Sequence, residues 1–187
     1  ASKVITVIRQ FMRESERRKF HTNRDYEFFS IKKVKTTKLA LSFEELEKLY
    51  HLNLTETPGI GRARDLFIIG SYTGLRFSDF TRIRPEHIET IEGQKVLNLT
   101  TQKTTTQVSI PLLPIAETLL RKYNFTAPSM TNQVLNRHLK ELGKLAGMND
   151  KMSVTQTTGG KRSDEVMEKW ERLSSHVARR SFATNFY

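Results

Sequence analysis

Four side chains in this sequence are of the types that hold and cleave a phosphodiester without a metal: Arg76, Lys103, His176 and Arg179. A pentacoordinate, phosphorane-like state concentrates negative charge on its non-bridging oxygens, and two guanidinium groups can hold it there. Each planar fork offers two parallel hydrogen bonds to one phosphate, which a lysine cannot do. His176 and Arg179 stand at i and i+3, so on a helix they share a face and address the same group. Lys103 falls in a polar stretch from Thr101 to Thr106, where a mobile hairpin tip can bring an ammonium in to protonate a leaving sugar oxygen. Taken singly, each residue has an ordinary reading. Arg76 can cap the carbonyl end of a preceding helix, Lys103 can be a solvated loop tip, and His176 and Arg179 can be the wet face of a terminal helix. Their order and contexts together point to the phosphate.

Other candidate motifs fail on their own chemistry. Gly59-Ile60-Gly61 lacks the third glycine of a dinucleotide fingerprint, has Arg64 in its place, and follows no strand. Gly160-Lys161 resembles the end of a phosphate-binding loop, but Thr155 stands where the first glycine belongs and Arg162 replaces the Ser/Thr. His21, His51, His87 and His138 have no partner at metal-ligand spacing. With no cysteine in the chain, disulfides and thiolate metal sites are excluded.

The elements that must position these residues can be read in order. Val4, Ile5, Ile8, Phe11 and Met12 recur at helical spacing, which predicts an amphipathic helix over about residues 2 to 19 with Arg9, Arg13, Arg17 and Arg18 on its polar face. Residues 21 to 40 read as a linker, with a domain boundary near Lys38. Ser42 and Glu45 form a capping box that starts a helix burying Phe43, Leu46, Leu49 and Tyr50. Pro58-Gly59 breaks the chain, and an apolar helix from about Gly61 to Tyr72 is central to the core. Gly74 is a turn, and Arg76 stands where the next, short helix begins. From His87 to Pro111 the period changes to two, predicting an antiparallel sheet of two or three strands with a turn at Glu92-Gly93 and Lys103 in or beside the second turn. Pro114 starts a helix to about Tyr123. Thr131 caps a longer one, closed by Gly147. Ser153 to Thr158 can be a strand and Gly159-Gly160 a turn, and the charged run after it can be helix or loop. Ser175 is expected to cap a last helix that buries Ala178, Phe182 and Phe186. The fold class is α+β: mainly helical with a small antiparallel sheet.

Charge narrows the partner. The formal net charge is +11, and residues 1 to 38 hold 11 Lys/Arg against 4 Asp/Glu, so most of the excess lies at one end. Such a balance calls for a polyanion, nucleic acid or an anionic membrane surface. No apolar run approaches the ~20 residues of a membrane span, and no secretory signal is visible.

Together these residues carry a resemblance to a known family. Thr73-Gly74-Leu75-Arg76-Phe77-Ser78-Asp79, the Lys103-Thr104 hairpin and the run Ser175 to Thr184 resemble the catalytic domain of tyrosine recombinases, the integrases of phages and conjugative transposons. The likeness covers about residues 39 to 187 in the right order. It implies that Arg76, Lys103, His176 and Arg179 are catalytic and that Asp79 supports the first arginine. It also implies strand cleavage and rejoining through a 3′-phosphotyrosine without metal or cofactor, double-stranded DNA as partner, self-association on DNA as a synaptic tetramer, and a DNA-associated place in a prokaryotic cytoplasm. Residues 1 to 38 resemble the tail of the family's helical core-binding domain plus a linker.

One departure matters. The family carries a Gly-His or tryptophan motif beyond the His-x-x-Arg helix and then the nucleophilic tyrosine, and neither is in this sequence. Tyr187 lies eleven positions past His176, roughly 16 Å along a helix axis, so it is expected to pack or face solvent rather than attack. The expectation is a recombinase catalytic domain truncated before its nucleophile. A non-catalytic DNA-binding module of the same fold is the alternative from another class. A type IB topoisomerase relative shares the phosphate chemistry but fits the Arg76 and His176 contexts less well, and an RNA-binding module lacks a stacking platform.

Overall fold

The computed structural model describes residues 2–29, 38–158 and 161–187, which fall into two compact units: Ala1–Thr37 with Ser153–Glu165, and Lys38–Met152 with Val166–Tyr187. In the first, α1 (Ser2–Arg17) is the expected amphipathic helix. The chain beyond it folds back. Glu16 accepts hydrogen bonds from the Tyr26 hydroxyl and Arg24 Nε, both at 2.5 Å, and His21 Nε2 lies 3.0 Å from the Met12 carbonyl. The apolar face of α1 stays open, with Val4, Val7, Ile8 and Phe11 all exposed. A single 3₁₀ turn at Asp25–Glu27 interrupts the stretch read as linker, and residues 30–37 of that stretch lie outside the described residues.

The second unit is built around α3 (Pro58–Thr73), whose interior from Asp65 to Thr73 is buried without a break. It starts earlier than the apolar run suggested, because Pro58 occupies the first turn, where its missing N–H costs nothing. Helices α2 (Phe43–Tyr50), α5 (Pro114–Lys122), α6 (Asn132–Leu145) and α7 (Ser175–Phe186) pack on α3. The capping box of α2 is formed: Ser42 accepts from the Glu45 N–H, and Glu45 returns the bond to the Ser42 N–H at 3.0 Å. Leu46 and Leu49 are buried as expected, whereas Phe43 sits at the rim.

Strands β1 (Ile88–Ile91), β2 (Gln94–Thr100) and β3 (Gln107–Pro111) form the antiparallel sheet in sequence order. Glu92 and Gly93 both take positive φ, 49° and 83°, the conformation that lets a two-residue turn match strand twist. After α6 the chain forms β4 (Lys151–Thr158) and β5 (Lys161–Glu168), which pair as a second sheet. This corrects the expectation of helix or loop for the charged run. A run with a polar residue at nearly every position shows no helical period, and pairing with β4 decides the matter. The Gly159-Gly160 turn lies outside the described residues.

A buried ionic cluster joins three elements. Asp65 is wholly buried and accepts from Arg64 Nε at 2.8 Å, Lys122 Nζ at 2.7 Å and the Tyr123 hydroxyl at 2.7 Å. Arg64 Nη1 also reaches the carbonyls of Tyr50 and Leu52, at 3.0 and 2.8 Å. Burial, and then the bond to Asp65, push the Tyr123 phenol well above the usual tyrosine range.

Candidate nucleic-acid interface

The site lies where α3 ends. Gly74 caps α3 in the left-handed conformation at φ 65°, and its N–H closes on the Gly70 carbonyl. A Cβ at Gly74 would sit 2.4 Å from Phe182 Cδ1, so α7 approaches this turn closer than any side chain permits. Two residues later Arg76, in extended conformation, is the N-cap of α4 (Phe77–Phe80). The left-handed cap reverses the chain, and the extended residue then directs a long side chain out of the core.

Helix α7 brings the second arginine. Ser181 Oγ accepts the Leu41 N–H at 2.9 Å, and Asn185 Nδ2 donates to the Leu41 carbonyl at 3.0 Å, which straps α7 beside the entry to α2. The helix start is held differently from the expectation. Ser174, not Ser175, is the N-cap, and its side chain makes no capping bond. Ser175 is the first helical residue and is gripped by α6: its N–H donates to Asn136 Oδ1 and its Oγ to Asn132 Oδ1, both at 2.8 Å. Asn132 and Asn136 stand at i and i+4 on one face, a spacing visible in sequence but without meaning until α7 is placed beside it. Phe182 and Phe186 are also less buried than expected: their rings pair with each other near the surface, and Phe186 also meets Phe43 and the buried Tyr72.

Arg76 and Arg179 line one open cleft of about 560 Å³, together with Gly74, Thr104, Thr106 and Tyr187. Arg179 Nη1 donates to the Gly74 carbonyl at 2.6 Å, which locks this guanidinium to the turn that presents Arg76. A guanidinium has five N–H donors, so Arg179 keeps most of its fork for a ligand. Arg76 is half-buried, and its guanidinium has no hydrogen bond or ion pair among the described residues. Two guanidiniums without an ion pair among the described residues, in one concavity, make a site for an oxyanion, and phosphate fits the fork geometry.

The other predicted residues are placed less directly. Lys103 is exposed in the turn between β2 and β3, and its neighbours Thr101 and Thr104 line the cleft while Lys103 itself does not. His176 is exposed on the first turn of α7, one turn before Arg179, and is also outside the cleft wall. Asp79 is fully buried, and it bonds not to Arg76 but to the backbone N–H of Gln102, at 2.9 Å. Tyr187 is fully exposed with its ring 6.2 Å from that of Phe182. Its distance from His176 along the helix did not keep it from the cleft, because the chain leaves α7 at Phe186 beside the Phe182 ring.

Comparison with solved structures places this architecture. A lambda integrase dimer bound to a COC′ core site matches over 98% of this chain and 62% of its own, with a TM-score of 0.67 at 16% identity. The fold is that of a tyrosine recombinase catalytic domain. A lambda integrase tetramer on a Holliday junction matches with a TM-score of 0.64 at 15% identity, over 98% of this chain and 52% of its own. XerH site-specific recombinase bound to difH before cleavage gives 0.52 at 18% identity, over 88% of this chain and 48% of its own. The chain therefore spans about half the length of the recombinases it matches. No protein-family model matches the sequence, and no curated protein matches it. In recombinase terms, the mainly helical α+β reading is borne out, with the three-stranded sheet and α7 on either side of the Arg76 turn.

Proposed function

We propose that this protein binds double-stranded DNA and orients one phosphodiester for metal-free strand cleavage in site-specific recombination, with Arg76 and Arg179 holding the non-bridging oxygens. One observation carries the reading: two arginines 103 positions apart share a cleft beside the turn that holds Lys103. In this mechanism Lys103 protonates the leaving 5′ oxygen and His176 hydrogen-bonds the phosphate from the same side as Arg179. Both must swing toward the cleft when DNA fills it, as side chains on a hairpin tip and a first helical turn can. The recombinase reading carries with it self-association on DNA.

Binding is tested by salt. With +11 net charge, duplex affinity should fall steeply from about 50 to 200 mM salt, with a log–log slope of about −0.9 for each phosphate contacted. A flat response over that range would remove the DNA reading.

No tyrosine of this chain is read as the nucleophile. Tyr26 and Tyr123 are tied to Glu16 and Asp65 through their hydroxyls, and Tyr72 is buried. Tyr187 borders the cleft but lacks any bond that would activate its hydroxyl among the described residues. Incubating the chain with a nicked duplex and denaturing the mixture should therefore yield no DNA-linked protein band. A phosphotyrosyl peptide mapping to Tyr187 would reverse this assignment.

The second reading, a DNA-binding module of the same fold without catalysis, is favoured by the position of His176 and Lys103 outside the cleft wall. It predicts the same salt response but no effect of Lys103→Ala on any cleavage reaction.

A further inference from the structure

The six-residue turn from Thr101 to Thr106 is tied at two points. The first is internal. Thr101 is nearly buried, and its hydroxyl meets Thr104 Oγ1 at 2.8 Å, the Thr106 carbonyl at 3.1 Å and the Thr106 N–H at 3.2 Å. Backbone bonds from Thr101 N–H to the Thr106 carbonyl and from Thr105 N–H to the Thr101 carbonyl complete the closure, and Thr105 takes a positive φ of 51° to allow it. The second tie is external. The Gln102 N–H, in the peptide one residue before Lys103, donates to Asp79 Oδ1 at 2.9 Å.

Asp79 is costly to bury. It is wholly inaccessible, and its other oxygen, Oδ2, has no partner among the described residues. A carboxylate without a full set of donors in the interior is unfavourable, and a native structure keeps one where its position is used. The one hydrogen bond its carboxylate makes among the described residues is charge-assisted and aimed at the backbone that carries Lys103. Asp79 meets Arg76 only through the backbone, its N–H donating to the Arg76 carbonyl at 2.9 Å, and among the described residues its carboxylate makes no bond to the Arg76 guanidinium.

We propose that Asp79 is a positioning residue for Lys103: its carboxylate anchors the Gln102 amide to α4, so that the lysine swings from a fixed pivot toward the phosphate held by Arg76 and Arg179. The proposal rests on the reading of Lys103 as proton donor. It differs from a support for Arg76 in which group moves when the acid is removed.

Hydrogen exchange on the ¹⁵N-labelled chain decides the anchor without any cleavage assay. In Asp79→Ala the Gln102 amide should exchange roughly tenfold to a hundredfold faster, since a bond to a charged acceptor is lost. Thr106, held by Thr101, and the Arg76 Nε signal should stay as they were. Asp79→Asn keeps an acceptor oxygen at nearly the same volume, so it should retain most of the Gln102 protection, and it covers the case in which the alanine variant does not fold. Unchanged Gln102 exchange in a folded Asp79→Ala would overturn the proposal; where that variant does not fold, a disturbance in Asp79→Asn confined to the Arg76 side chain would overturn it.

The chemical half is tested in a cleavage-competent form on duplex with sulfur in place of the leaving 5′ oxygen, a group that departs without a proton. Lys103→Ala and Asp79→Ala should both be slow on the ordinary duplex and both recover on the sulfur-bridged one. Recovery of Lys103→Ala alone would overturn the positioning role. Recovery of neither would remove the proton-donor reading of Lys103, while the exchange result would still report whether the anchor exists.

Discussion

Replacing either Arg76 or Arg179 by alanine, in a cleavage-competent form that carries the nucleophilic tyrosine, should slow strand cleavage by about 10²–10³ each while leaving the fold intact. The size follows from the chemistry of the cleft. A phosphorane-like state places its charge on two non-bridging oxygens, and each guanidinium removed leaves one oxygen without a donor that was already in place. The two variants should not behave identically off the reaction path. The Arg76 guanidinium makes no hydrogen bond or ion pair among the described residues, so Arg76→Ala should unfold near the wild-type urea midpoint. Arg179 also caps the Gly74 carbonyl, so Arg179→Ala should lose about 1 kcal/mol of stability in addition. Lysine at either position keeps the charge but not the fork, and should recover only part of the rate. Cleavage on a nicked suicide duplex is the measurement, and wild-type rates in both alanine variants would end the shared-phosphate mechanism.

The largest stability effect is expected far from that cleft, at Asp65→Ala. Asp65 is the only counter-charge within bonding distance of the largely buried Arg64 among the described residues, and Arg64 in turn holds the carbonyls at the end of α2. Removing one partner of a buried pair typically costs about 3–5 kcal/mol, because the other charge remains without compensation. Lys122 is half-exposed and can turn to water, so the loss should fall near the lower end, about 3 kcal/mol. Lys122→Ala should cost less than about 1 kcal/mol, as exposed ion pairs do. Urea denaturation reads all of these, and a loss under about 1 kcal/mol in Asp65→Ala would show that the cluster does not hold the fold. The same cluster sets an alkaline limit. The Tyr123 phenol is raised in the folded state, by burial first and its bond to Asp65 second. Unfolded chains lose that proton near pH 10 and folded ones do not, so its contribution is present below about pH 10 and is lost as pH rises beyond it. Tyr123→Phe should flatten that alkaline decline, with Tyr72, also raised by burial, accounting for the remainder.

Much of this was legible in the residues. The capping box at Ser42, the turn glycine at Gly74, the Glu92-Gly93 hairpin and the Thr131 cap all act through local chemistry, and all appear where the sequence put them. The juxtaposition of Arg76 and Arg179 was legible only through a resemblance of motifs, since nothing local joins residues so far apart. What failed failed for tertiary reasons. The charged run that became β5 has no period of its own and takes its form from β4. Ser175 looked like a cap, but Asn132 and Asn136 of a distant helix claim both of its donors. The bond from the Gln102 amide to the Asp79 carboxylate was likewise out of reach of the sequence, because only the sheet brings the two together.

The bond between Arg179 and the Gly74 carbonyl spans 105 positions, and it dates the site within the life of the molecule. A ribosome adding about 5–20 residues per second needs about 5–20 s to travel from one arginine to the other. During that interval the nascent polypeptide carries Arg76 at the start of α4 but has no second guanidinium to set beside it. The cleft that Arg76 and Arg179 share arrives only with α7, after almost all of the surrounding core has been synthesised. A half-translated chain has the basic first helix but not the paired guanidiniums that the proposed cleavage requires.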